Sequence, residues 1–189
     1  MIEFRSDIAI GLGGNLPFSD FPVETTLMQA IQALAESGLV IRAVSRFFRT
    51  PCFPAGAGPD YVNAAVAIGA GTPPEQILHR LHDIESRFGR ARDTRWGMRT
   101  LDLDLLLHGD TIHPDRAGFA HWLNLPPAEQ RRAAPQRLIL PHPRLQDRAF
   151  VLVPLADILP DWRHPVLGRT VRQLCADLPA GERDAIRPL

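Results

Sequence analysis

The chain predicts an α+β sandwich with a mainly antiparallel sheet. Apolar residues alternate at period two in several short runs, the strand pattern, and recur at helical spacing in others. Those runs follow the order β-α-β-β-α-β with helices trailing, which suits a sheet covered by helices. A length of 189 residues with 45% apolar content fits a single domain over the whole chain. A domain of this size buries roughly 70% of its unfolded surface.

Residues 8–12 read as a short buried strand, and Gly13-Gly14-Asn15 turns it. Residues 25–37 carry Leu27, Met28, Ile31 and Leu34 at helical spacing, and Gly38 closes that helix. Residues 39–49 are branched and aromatic and read as one strand. The prolines and glycines of 50–60 make a loop, and 61–68 another strand. Thr72, Pro73 and Glu75 predict a capping box, with Pro73 as first helical residue. The stripe Ile77, Leu78, Leu81, Ile84, Phe88 continues that helix to Gly89. Residues 90–100 have little apolar content beyond Trp96 and Met98, and read as a loop able to close over a ligand. Residues 101–107 form a strand. Residues 116–137, rich in arginine, alanine and proline, read as a surface insertion anchored by Trp122 and Leu123. Residues 138–140 form a short strand. Asp147 can cap a helix to about Ile158, and Thr170 one over 171–178.

Composition excludes several classes. Formal net charge is zero, so no global field draws the chain to nucleic acid or membrane. No lysine is present among 21 basic residues. Base composition alone can cause that, but a P-loop or a protein kinase of the usual build needs its lysine. Two cysteines, Cys52 and Cys175, offer neither a disulfide framework nor zinc spacing. The charged N-terminus lacks a secretory core, and no run reaches the ~18 apolar residues of a membrane span. A cytoplasmic monomer is expected.

Chemistry concentrates in Arg95-Trp96-Gly97-Met98-Arg99-Thr100-Leu101-Asp102-Leu103-Asp104. Residues two apart on a strand share a face, so Asp102 and Asp104 point together, away from Leu101, Leu103 and Leu105. Taken singly, that alternation also describes a solvated strand face, and an arginine run also describes a soluble surface. Together they suit a phosphate-handling metal site. Mg²⁺ takes one or two carboxylates plus substrate phosphates, and Arg90, Arg92, Arg95 and Arg99 suit the remaining oxygens. Tyr61 and Asn63 share another strand face, where one can stack on a flat ring and the other read its polar edge. His142 and Arg148 flank a helix start, where anions are favoured. Gly11-Leu12-Gly13-Gly14-Asn15 lacks the third glycine of a dinucleotide fingerprint and reads as a tight turn. His79 and His82 read as a half-exposed helix face.

Residues 11–16, 45–51, 59–65, 85–104 and 141–150 together resemble the 6-hydroxymethyl-7,8-dihydropterin pyrophosphokinase family of folate synthesis, in that family's order. The resemblance implies a ferredoxin-like sandwich. It implies transfer of the β,γ-pyrophosphoryl group of ATP to the pterin hydroxymethyl group, releasing AMP, with two Mg²⁺ ions. Asp102 and Asp104 then match the metal ligands, and Arg90 and Arg99 stand with them as catalytic. Glu85, Arg92, Trp96, Leu105, His142 and Arg148 match the ATP site. Thr50, Pro51, Phe53, Tyr61, Asn63 and Phe150 match the pterin pocket, with Tyr61 and Phe150 on either side of the ring. Gly14, Met98 and Pro143 depart from residues common in the family, and none of these changes removes a charge. Two other readings are a two-metal nucleotidyltransferase, which would release pyrophosphate, and a non-catalytic ligand-binding module, which would tolerate Asp102→Asn.

Overall fold

In the computed structural model, residues 7–52, 58–69, 71–89, 99–126, 129 and 135–189 are described. The sheet is built around β1 (Ile8–Gly14), which pairs antiparallel with β4 (Tyr61–Ile68) on one side and β5 (Asp102–His108) on the other. β2 (Ile41–Val44), β3 (Phe48–Thr50) and a short β6 (Arg187–Pro188) complete six strands, every described pairing antiparallel. Helices α1 (Val23–Glu36) and α2 (Pro74–Arg87) cover one face. Their Leu27, Leu34, Ile77, Leu81 and Ile84 pack with Ile10, Leu12, Val62, Val66, Leu101, Leu103 and Leu105. The other face carries α4 (Ala149–Ile158) and α5 (Val171–Asp177), whose Leu152, Leu155 and Leu174 pack with Phe48, Ala65 and Leu106. A short α6 (Ala180–Asp184) leads into β6. This is the α+β sandwich the sequence predicts.

Several elements differ from expectation for local reasons. The single strand expected over 39–49 is two. Val44 opposes Val66, but Phe48 opposes Asn63, so one extra residue enters the β2–β3 side between these pairs. Ser45 marks the break: its N–H donates to the Ala65 carbonyl, and its Oγ accepts from the Ala65 N–H. A slip of one residue reverses which side chains face which way. Phe48 and Thr50 are thereby turned to the face of Asn63.

The Thr72–Glu75 capping box does not form, because Pro74 follows Pro73. A residue before proline is driven out of the helical region. Pro73 accordingly sits at ψ 144°, becomes the cap without a side-chain acceptor, and α2 starts at Pro74. Glu75 pairs instead with His113 Nε2 at 3.1 Å. Asp147 does not cap α4. It lies in a 3₁₀ turn and pairs with Arg144 at 2.9 Å. The strand expected over 138–140 is a single bridge between His113 and Leu140. The Thr170–Gln173 capping box of α5 forms as read.

The segment over 116–137 begins as a docked helix rather than a surface excursion. In α3 (Arg116–Leu123) the expected anchors Trp122 and Leu123 are only half-buried. Phe119 is fully buried and meets the His164 ring at 5.6 Å. Phe119 lies one turn before these two, on the same side of α3, and takes the buried role. His164 is itself buried, with Trp162 on another side at 5.6 Å, and its Nδ1 accepts from Val166 and Leu167 N–H. Among the described residues, no helix is long and apolar enough to cross a membrane.

Burial lowers the His164 imidazole to about 4. An unfolded imidazole titrates near ~6.5, so below that pH the unfolded chain binds the extra proton. Stability from this group is therefore complete above about pH 6.5. It falls with pH through the window down to about 4, by a total of ~3 kcal/mol. Comparing urea midpoints at neutral and mildly acid pH, His164→Asn should show a distinctly shallower loss than the parent, since its side-chain oxygen accepts without protonation. Equal slopes would assign the acid loss to other groups.

Candidate active site

The site is assembled on the sheet face opposite α1 and α2. Asp102 lies across from Gly13, and Gly13 in turn from Asn63; Asp104 lies across from Gly11, and Gly11 from Ala65. Residues in one row of an antiparallel sheet share a face, so the carboxylates and the Asn63–Tyr61 pair stand over one floor. That floor is glycine for a steric reason. A Cβ on Gly13 would lie 2.6 Å from Asn63 Oδ1, so only glycine lets the amide lie across β1. Asn63 and Thr50 are buried, and Asn63 Nδ2 donates to Thr50 Oγ1 at 2.8 Å. Tyr61 opposes Thr50 in the ladder. Burial raises its phenol, the Cys52 thiol adds to this, and the charges of Arg99 and Asp102 also reach it. Pro51 is exposed at the rim.

The carboxylates are half-buried and each has an arginine. Arg99 bonds Asp102, and Arg148 lies 3.8 Å from Asp104. Arg148 sits just ahead of α4, its guanidinium 5.6 Å from the Phe150 ring centre, and Phe150 is exposed. Burial lowers the Arg148 pKa, and Asp104 opposes that shift. His142 is tied to β5 by its N–H, which donates to the Leu106 carbonyl at 2.7 Å. Its Nδ1 accepts from the Arg144 N–H, which leaves the proton on Nε2. Burial, with the Arg148 charge beside it, lowers this imidazole to about 3. The neutral ring is then a hydrogen-bond donor at ordinary pH.

The donor set fits a hard divalent cation. Two carboxylates share one face, partly open to solvent, and offer only oxygen. Among the described residues no group of three or more His, Cys, Asp or Glu is placed to hold a metal. A cation at Asp102 and Asp104 therefore needs other oxygens, as Mg²⁺ does when it binds with a phosphate substrate.

Two residues expected at the nucleotide have buried side chains. Leu105, expected beside adenine, turns its side chain into the helix-side core and is 4% exposed. Glu85, expected beside the nucleotide, is 1% exposed, and its Oε1 accepts from the Leu103 N–H at 2.7 Å. It braces the aspartate strand from behind. Arg90, Arg92, Trp96 and Phe53 lie outside the described residues, as does most of the loop expected to close. Sequence reasoning passed over Asn15, taken there as part of a turn. It is 2% exposed and bonds both sides of the site. Its one signal was position, an asparagine just past a strand, where a short amide often bonds backbone. A cavity of about 410 Å³ lies nearby, lined by Pro22, Val23, Arg49 and Val62 among others. Asn15 and Pro59 border it, whereas Asp102, Asp104, Tyr61 and Asn63 do not.

Glu85→Ala leaves the buried Leu103 N–H without its acceptor, a loss of about 1–3 kcal/mol. Thermal melting should fall by several degrees, whereas Glu85→Gln, which keeps an acceptor oxygen, should fall less. Equal losses would show that the charge, not the bond to Leu103, matters.

A family model described as 7,8-dihydro-6-hydroxymethylpterin-pyrophosphokinase (HPPK) matches residues 9–160. The 2-amino-4-hydroxy-6-hydroxymethyldihydropteridine pyrophosphokinase of Synechocystis is 39% identical over 166 residues, covering 87% of this chain and 72% of its own. Its namesake in Pseudomonas aeruginosa is 37% identical over 172 residues, 91% of each chain. A crystal structure of Plasmodium falciparum HPPK-DHPS is similar in fold, with TM-score 0.60 and 16% identity. That likeness covers 90% of this chain, which spans 43% of the Plasmodium one. With a family model over residues 9–160 and relatives alike over most of this chain, this chain belongs to the 7,8-dihydro-6-hydroxymethylpterin-pyrophosphokinase family.

Proposed function

We propose that this chain moves the β,γ-pyrophosphoryl group of ATP onto the hydroxymethyl group of 6-hydroxymethyl-7,8-dihydropterin, releasing AMP, in folate biosynthesis. It is a diphosphotransferase with ATP as co-substrate. One observation carries the assignment of roles: paired carboxylates and a ring-sized polar pocket share one sheet face, with Gly13 between Asp102 and Asn63. Two strand spacings separate them, roughly 10 Å. A heterocycle over Asn63 can therefore hold its alcohol toward a triphosphate at the aspartates.

The alcohol oxygen bonds the β-phosphorus, the bond from that phosphorus to the AMP oxygen breaks, and the alcohol proton departs. A pair of Mg²⁺ ions at Asp102 and Asp104 would supply charge neutralisation and acidify the alcohol. With Asp102 and Asp104 holding cations, Arg99 and Arg148 would be available to phosphate oxygens, where guanidinium binds in a fork. Arg90 and Arg92 join them on the strength of the sequence alone, as Trp96 joins the ATP site. The His142 Nε2–H adds a neutral donor. Tyr61 and Phe150 enclose the ring, and Asn63 and Thr50 meet its edge, with Pro51 at the rim; Phe53 joins them on the strength of the sequence alone. Asp104 is the proton acceptor. In this reading the protein acts as a monomer on two small molecules in the cytoplasm.

Incubation with ATP, Mg²⁺ and the hydroxymethyl dihydropterin should release AMP and a pyrophosphorylated pterin, both resolved by phosphorus NMR. Free pyrophosphate would mark nucleotidyl transfer instead. Asp104→Asn should lower kcat by roughly 10³-fold, since metal-assisted stabilisation supplies several kcal/mol. Pterin affinity, measured by calorimetry, should change little. Equal losses in both would remove Asp104 from the proton-acceptor role.

A further inference from the structure

We propose that Asn15 is a positioning residue that locks the arginine end of the site to the pterin end. The inference rests on the reading of Arg99 as part of the transfer machinery. Asn15 follows β1 directly, and its side chain reaches both ways. Its Oδ1 accepts from the Arg99 N–H at 2.9 Å, and its Nδ2 donates to the Pro59 carbonyl at 3.1 Å. The backbone N–H groups of Asn15 and Leu16 both donate to the Arg99 carbonyl, at 2.9 and 3.1 Å. Arg99 is thus held through both its amide and its carbonyl by one short segment.

Both ends of this bridge lead straight to function. Pro59 stands two residues before Tyr61, where β4 begins, and Arg99 bonds Asp102. Neighbouring residues leave this connection little slack. A Cβ on Gly14 would lie 2.6 Å from the Thr100 carbonyl oxygen, so the segment lies against the chain leaving Arg99. Thr100 Oγ1 donates in turn to the Phe88 carbonyl at 2.6 Å, at the end of α2. An amide is the side chain for this place: it accepts on one side and donates on the other, which a carboxylate, a hydroxyl on a shorter stem or an apolar group does not reproduce.

The two bonds can be separated. Asn15→Asp keeps the acceptor for Arg99 but sets an oxygen against the Pro59 carbonyl. It should raise the pterin KM roughly 10-fold with kcat within a factor of about three. Asn15→Ala loses both bonds, and should also lower kcat by ~10²-fold, the scale of a misplacement of about 1 Å. In an Arg99→Ala background, Asn15→Ala should lower kcat no further. Amide exchange gives a reading that does not need turnover: Arg99 should lose protection in Asn15→Ala while Leu103 in β5 keeps it. Additive kcat losses in the double variant, or an Arg99 amide that exchanges as in the parent, would overturn the proposal. A parent protein that releases no AMP overturns the transfer reading instead, and the exchange experiment still decides whether Asn15 holds Arg99.

Discussion

Two like charges on neighbouring same-face positions of one strand repel. At roughly 6 Å and an effective dielectric of about 20, that repulsion is about 3 kcal/mol. Asp102 and Asp104 stand that way, and much of the surrounding structure answers it. Arg99 meets one carboxylate and Arg148 approaches the other. The strand cannot rotate to relieve the pair, because Leu101, Leu103 and Leu105 bury their side chains on the opposite face. Glu85 holds the Leu103 amide from that side. A strand that is core on one face and charged on the other presents its carboxylates in a fixed spacing.

The Asn63–Thr50 end of the floor solves a different problem, how to offer polar edges without losing them to water. Asn63 and Thr50 are buried and bonded to each other. Their approach across β1 depends on Gly13 having no side chain, and the meeting of Thr50 with the Asn63 face depends on the extra residue near Ser45. A heterocycle placed over this pair, as proposed, would find a preset edge rather than one that must be ordered on binding. The resulting floor links chemistry and recognition through main-chain hydrogen bonds, the stiffest element available to a small sheet.

Behind the second sheet face, the chain beyond residue 160 adds its own core. Trp162 and Val171 are buried with α4, and Trp162 Nε1 donates to the Gly109 carbonyl at the end of β5. Phe119 of α3 and His164 close that layer. The family match ends at residue 160, so this packing lies largely outside it. It supports α4, and with it Arg148 and Phe150, from behind.

Much of this was legible in the chain itself. The alternation from Leu101 to Leu105 determined which face of β5 is core, because period-two burial has one solution when one face is apolar. The stripes of α1 and α2 and the Thr170–Gln173 cap were readable for the same reason: each is a contact within a few residues. What only the tertiary structure decided depends on partners distant in sequence. The side-chain direction of Leu105 and the burial of Glu85 are set by packing against the helix side of the sheet. The slip between Val44 and Phe48 is invisible in a run of branched residues, yet it sets which face Thr50 joins. Asn15 looks like any turn residue until residues 84 and 44 positions away are brought to its amide. Local sequence encodes periodicity and caps; register and bridging hydrogen bonds exist only once the strands are paired.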